Sequence, residues 1–176
     1  TRILIVDAEK DWSSPSAITW SWTPADSPQI KAAHRGWFGT VSESKPAKNT
    51  QNLLVAASGG GVALIRVSDR SALFYAQPGG NTHSVEVLPD GTIVSASSDG
   101  NALTVYSRAP GAQTLPGTST TKIAFTSAHG VVWDMLGDRL WAVGGTELAA
   151  FQYNKNPAAP NLTKTASYTL PMSAGH

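Results

Sequence analysis

The four histidines of this 176-residue chain fall on one period. They are His34, His83, His129 and His176, separated by 49, 46 and 47 residues. Each of the first three opens a short apolar run, and further runs follow before the next histidine. Four short strands in about 40 to 50 residues are the period of a β-propeller blade. The repeat therefore predicts an all-β protein of the β-propeller class.

The predicted strands share their order and their turn chemistry. The first run reads HRGWFGTV, HSVEVLP or HGVVWDM, and the second reads LLVAASG, TIVSASS or RLWAVGG. Turn residues such as Pro89-Asp90-Gly91 separate the runs, as expected for hairpins. RILIVDA and AITWSWTP, ahead of His34, match a second and a third strand. A β-sandwich would also contain many short strands, but it would lack a fixed period. The repeats are predicted at about 1–33, 34–82, 83–128 and 129–175.

The chain contains slightly fewer than four repeats of about 47 residues, and the first of them lacks its innermost strand. Propellers typically have 4–8 blades, and an open ring would expose a blade face rich in Val, Leu and Trp. We therefore expect this chain to be part of a larger propeller. A second chain or a missing segment would supply the remaining blades.

Composition excludes several classes of function. Charged residues make up only 14% of the chain and the net charge is +1, so nothing indicates a nucleic-acid or membrane surface. The chain has no cysteine, which excludes disulfides, thiolate metal sites and cysteine nucleophiles. The sequence shows no G-x-S-x-G elbow, P-loop or H-E-x-x-H motif.

A repeated histidine has two interpretations. The first strand of a blade lies nearest the central channel, so the four histidines are predicted to converge near one mouth of that channel. They can be structural, each donating a ring N–H to a neighbouring strand. They can instead form a site, because imidazole serves as a general acid, a general base or a metal ligand near neutral pH. The metal question stays open, since no carboxylate shares the repeat position.

Residues beside the histidines add candidates. Arg35 follows His34 directly, and an arginine at a channel mouth can hold a carboxylate through two hydrogen bonds. Trp37 is expected to be a core residue between blades. Glu86 stands in mid-strand, where an unpaired carboxylate is costly. It is expected either to form a salt bridge or to face the pocket.

Three segments resemble one enzyme family. NTHSVEVLPDGTIVSASSDGNALTVY, AHGVVWDMLGDRLWAVGGTELAAFQY and the opening ILIVDAEKDW…ITWSW are similar to the fungal L-rhamnose-α-1,4-D-glucuronate lyases. The resemblance implies a secreted, seven-bladed propeller, of which this chain would be roughly half. It implies a polysaccharide lyase that acts on arabinogalactan side chains by β-elimination. A secreted location also agrees with a glycosylation sequon at Asn161-Leu162-Thr163.

The resemblance assigns roles to the repeated residues. β-Elimination needs a base, an acid and a group that neutralises the glucuronate carboxylate. It implies His83 and His129 as the catalytic residues, and His34, Arg35 and His176 as substrate-binding residues. The partner would be a uronic-acid-containing glycan; a cofactor is not implied, and a divalent metal in the channel stays open. The alternative is a non-catalytic glycan- or protein-binding propeller with structural histidines.

Overall fold

The computed structural model describes residues 2–111 and 113–172. Within these residues the chain forms β-strands and three short 3-10 helices, at Pro15–Ala17, Pro24–Asp26 and Ala32–Phe38. The predicted all-β class is therefore confirmed. In that part of the chain, no helix is long and apolar enough to cross a membrane.

The first sheet is a pair of strands. Strand β1 (Ile3–Val6) runs antiparallel to β2 (Ile18–Trp22). Trp20 anchors this pair to the next sheet, because its indole Nε1 donates to the carbonyl of Val67 at 2.9 Å. The chain then passes through two of the 3-10 helices before it enters the second sheet.

Three four-stranded sheets follow, each an antiparallel meander in which consecutive strands are hydrogen-bonded neighbours. The second sheet contains β3 (Val41–Ala47), β4 (Asn52–Ala57), β5 (Val62–Arg66) and β6 (Ala72–Ala76). The third contains β7 (Thr82–Val87), β8 (Ile93–Ser97), β9 (Ala102–Tyr106) and β10 (Thr121–Ala124). The fourth contains β11 (Ala128–Asp134), β12 (Arg139–Gly144), β13 (Glu147–Tyr153) and β14 (Leu162–Thr169).

The first strands of these sheets lie side by side. Glu43 on β3 accepts a 2.9 Å hydrogen bond from the backbone N–H of Val85 on β7. Ser84 on β7 accepts one of 3.1 Å from the backbone N–H of Val131 on β11. The strands β3, β7 and β11, called the inner strands below, therefore line the centre of the fold. Meander sheets with adjacent first strands are the architecture of a propeller, as the repeat predicts.

The core consists of layers between successive sheets. Alternate residues of β4 point to opposite faces, as the two-residue period of a strand requires. Leu53 and Val55 join the layer toward the first sheet, while Leu54 and Ala56 join the layer toward the third. A further layer between the third and fourth sheets includes Phe151 and its neighbours. Each complete sheet thus presents apolar side chains on both faces.

The expectation that His34 opens an inner strand is wrong. His34 lies in the 3-10 helix Ala32–Phe38, and β3 begins only at Val41. The carbonyl of Trp37, in this helix, accepts a 2.9 Å hydrogen bond from Gly61 in the turn after β4. A Cβ on Gly59 or Gly61 would stand 2.7 or 2.8 Å from that carbonyl oxygen. The glycine-rich turn therefore accommodates a helix where the sequence pattern indicates a strand.

Candidate functional site

Each inner strand carries a bulge at the same position. The pairing register skips Ser42 on β3, His83 on β7 and His129 on β11. A bulge adds one residue to one strand and re-aims its side chain. The three residues are therefore equivalent. His83 and His129 occupy the predicted common position, and Ser42 stands where His34 was expected.

The bulges bring His83 and His129 together. Their rings stack with centroids 4.1 Å apart and planes inclined by 22°. The Nε2 atom of each ring is shielded from solvent. Nδ1 of His129 lies 3.0 Å from the carbonyl oxygen of Ser127, and because a carbonyl only accepts, Nδ1 carries the proton of that hydrogen bond. In the neutral ring, Nε2 of His129 is then the basic nitrogen.

The histidine pair, His83 and His129, brings two imidazole rings together on neighbouring inner strands. A neutral imidazole can accept a proton and a cationic one can donate a proton, so the pair contains the side-chain types that general base and general acid catalysis use.

Charged side chains form a network further along the inner strands. Lys45 Nζ lies 3.4 Å from a carboxylate oxygen of Glu43 and 3.4 Å from one of Glu86, and it donates to the carbonyl of Val131 at 2.9 Å. Glu86 also accepts a 3.2 Å hydrogen bond from the backbone N–H of Trp133. Glu86 thus forms the salt bridge that was one of its two expected roles, and Lys45 is engaged by two carboxylates.

His34 and Arg35 lie in a different environment. The ring of His34 stacks on Trp37 at 3.8 Å, and its Nδ1 lies 3.2 Å from the hydroxyl of Tyr75. Arg35 borders a cavity of about 310 Å³ beside the residues that connect the first and second sheets. Trp37 packs against the core layer between those sheets, as expected. His176 lies outside the described residues.

Sequence reasoning missed several residues near the channel. Ser42, Glu43, Lys45 and Ser84 all take part in contacts between inner strands. The alternation of charged residues in VSESKPA was the available signal, because alternate residues of a strand share a face. Among residues 2–111 and 113–172, no group of three or more His, Asp or Glu side chains is arranged to hold a metal ion.

The fold and the inner strands define the class: an all-β protein of propeller type with a histidine pair at its inner strands. The sequence matches the model of a family of unknown function, DUF6528, over residues 1–176. The chain therefore belongs to this family. No curated protein matches the sequence.

Solved structures support the fold. One similar structure is the hydrazine synthase of Kuenenia stuttgartiensis, with a TM-score of 0.58 and 10% identity over 77% of this chain and 37% of that one. Another is a proposed 6-phosphogluconolactonase from Bacteroides fragilis, with a TM-score of 0.60 and 11% identity over 76% of this chain and 40% of that one. This chain thus matches less than half the length of either structure, and the likeness concerns the fold alone.

Proposed function

We propose that this protein is a secreted polysaccharide lyase that cleaves rhamnosyl-glucuronate linkages in arabinogalactan-type glycans by β-elimination. The observation that supports the proposal is the histidine pair, in which His83 and His129 stack at 4.1 Å on neighbouring inner strands. The sequence resemblance to rhamnose-glucuronate lyases supplies the substrate class.

The reaction requires two proton transfers. A base removes the proton on C5 of the glucuronate, next to the carboxylate. The electron pair forms the C4–C5 double bond while the bond from C4 to O4 breaks. An acid protonates O4 as rhamnose leaves, and an unsaturated uronate remains. We assign these transfers to His83 and His129, one as the base and the other as the acid.

The glucuronate carboxylate must also be neutralised. Lys45 is a poor candidate, because Glu43 and Glu86 already pair with it. Arg35 stays the proposed carboxylate ligand, and its cavity lies beside the residues that connect the first and second sheets. His34 and His176 stay proposed pocket residues, and the ring of His34 contacts Trp37 and Tyr75.

The test is substitution of the pair in the full-length protein. We expect His83→Ala and His129→Ala each to lower kcat by about 100- to 10,000-fold, the usual contribution of a positioned acid or base. Release of rhamnose and the ultraviolet absorbance of the unsaturated product measure turnover. Ser42→Ala, at the equivalent bulge, is the matched control and should retain activity. Turnover that persists in both histidine variants would refute the assignment.

A second candidate is a non-catalytic glycan- or protein-binding propeller. The contacts of His34 with Tyr75 and of His129 with Ser127 favour it, since both rings have structural hydrogen bonds. It predicts that uronate-containing glycans raise the Tm without forming product. It also predicts that His129→Ala lowers the free energy of unfolding by about 1–3 kcal/mol.

A further inference from the structure

Two contacts between sheets repeat in one register. On the second sheet, Leu54 pairs with Leu64 and the third sheet covers both side chains. On the third sheet, Val94 pairs with Val105 and the fourth sheet covers both. The pairing positions are equivalent, because the bulge of the inner strand lies opposite the last two residues of β4 in one sheet and of β8 in the next.

The same register continues on the fourth sheet. Trp141 and Val143 on β12 stand at the positions of Leu54 and Ala56, and they pair with Ala150 and Leu148 on β13. The face that they form also includes two large, exposed side chains. Val132 is 53% exposed and Tyr168 is 54% exposed. We call this surface the open face, formed by Val132, Trp141, Val143, Leu148 and Tyr168.

We propose that the open face is the docking surface of a further four-stranded blade. Both equivalent faces on this chain are covered by a sheet, in the same register. The matched part covers only 37% of the hydrazine synthase chain and 40% of the 6-phosphogluconolactonase chain. Large exposed apolar patches mark surfaces that bind protein, membrane or ligand. Because a sheet covers both equivalent faces, we take the covering element of the open face to be a blade. The proposal does not depend on the lyase activity.

The inner strand β11 indicates the chemistry of this blade. At the first two contacts, Glu43 and Ser84 supply oxygen atoms to the next inner strand, but the equivalent residue of β11 is Gly130. Lys45 and Glu86 supply charged contacts, but their equivalent on β11 is Val132. The third contact is thus apolar where the first two are polar.

A cavity lies at this point. It has a volume of about 340 Å³ and borders Gly130, Val132, Trp141 and Leu148 on the fourth sheet, with Glu43, Lys45 and Ser84 of the other inner strands on its far side. A Cβ on Gly130 would stand 2.9 Å from Cγ1 of Val143, so the apolar Val143 side chain lies against this glycine. The inner strand of the docked blade therefore places apolar side chains against Val132 and Val143, instead of the polar groups used at the other two contacts.

Single-cysteine variants test the proposal directly, because the chain contains no cysteine. In the full-length protein, Val132→Cys should react with a maleimide about tenfold or more slowly than Thr146→Cys, because burial limits reaction to opened states. Thr146 is an exposed residue in the fourth sheet's β12–β13 turn, and Val94→Cys is a covered control in the third sheet. Thermal unfolding of each variant verifies that it is folded.

Two results would overturn the proposal. If Val132→Cys reacts as fast as Thr146→Cys, the open face is not covered. Protection that disappears on dilution identifies a second copy of the protein as the occupant, instead of a further blade. Protection that persists on dilution supports the blade. Loss of lyase activity in the histidine variants has no bearing on either result.

Discussion

The hydroxyl of Tyr153 donates a 2.6 Å hydrogen bond to the carboxylate of Asp90 and lies 3.0 Å from the hydroxyl of Thr92. Tyr153 ends β13 of the fourth sheet, whereas Asp90 and Thr92 belong to the β7–β8 turn of the third. The contact therefore joins two blades at their rim. Burial, and then the neighbouring carboxylate, raise the pKa of Tyr153 to about 12.

This contact predicts a loss of stability at alkaline pH. Because the pKa of Tyr153 is higher in the folded protein than its ordinary value of about 10, the folded state favours the neutral phenol. The stabilisation is complete below about pH 10 and is lost as the pH rises toward 12. Urea unfolding between pH 9 and about 12 measures it, and Tyr153→Phe should flatten that pH dependence. Tyr106→Phe is the comparison for the effect of burial without a neighbouring carboxylate, because burial alone raises the pKa of Tyr106.

Ser84 connects all three inner strands. Its hydroxyl lies 3.0 Å from both carboxylate oxygens of Glu43 and accepts a hydrogen bond from Val131 N–H. We expect Ser84→Ala to lower the free energy of unfolding by about 1–3 kcal/mol, because it leaves a buried N–H without its acceptor. Ser44→Ala, at an exposed position of β3, should have little effect in the same urea titration. Equal losses in the two variants would contradict the structural role of Ser84.

The fold could be predicted because its signals are local. Short apolar runs and turn residues such as Pro89-Asp90-Gly91 recur along the chain, and both depend only on neighbouring residues. His83 and His129 share one position because each is the second residue of its inner strand. Their common position follows from the period alone.

His34 was misplaced because two deviations compensate each other. The inner strands begin at Val41, Thr82 and Ala128, so the second repeat is short, and the 3-10 helix ahead of β3 places a histidine near the expected distance. Ser42 occupies the equivalent bulge. Because it is not a histidine, the spacing of the histidines does not identify it. The contacts of Lys45 cross between blades, and such contacts depend on tertiary packing rather than on local sequence.

The network around Lys45 predicts non-additive mutations. Its side chain is 24% exposed and that of Glu86 is 13% exposed, so their charges are only partly solvated. Lys45→Met should lower the free energy of unfolding by about 1–3 kcal/mol, because two carboxylates then face each other without a cation. Adding Glu86→Gln to Lys45→Met should recover part of that loss. A double mutant whose loss equals the sum of the single losses would show that the charges are independent.

Where the 3-10 helix Ala32–Phe38 approaches the turn between β4 and β5, the space admits no residue larger than glycine. A Cβ on Gly59 would stand 2.7 Å from the carbonyl oxygen of Trp37 and 3.1 Å from that of Gly36, and neither backbone atom can move cheaply. We expect Gly59→Ala to lower the free energy of unfolding by about 1–3 kcal/mol, the usual cost of overpacking. Gly36→Ala is the matched control, because its Cβ would meet no atom within 4 Å. Thermal unfolding of the two variants measures the difference, and a Gly59→Ala protein as stable as Gly36→Ala would show that the helix does not depend on this close approach.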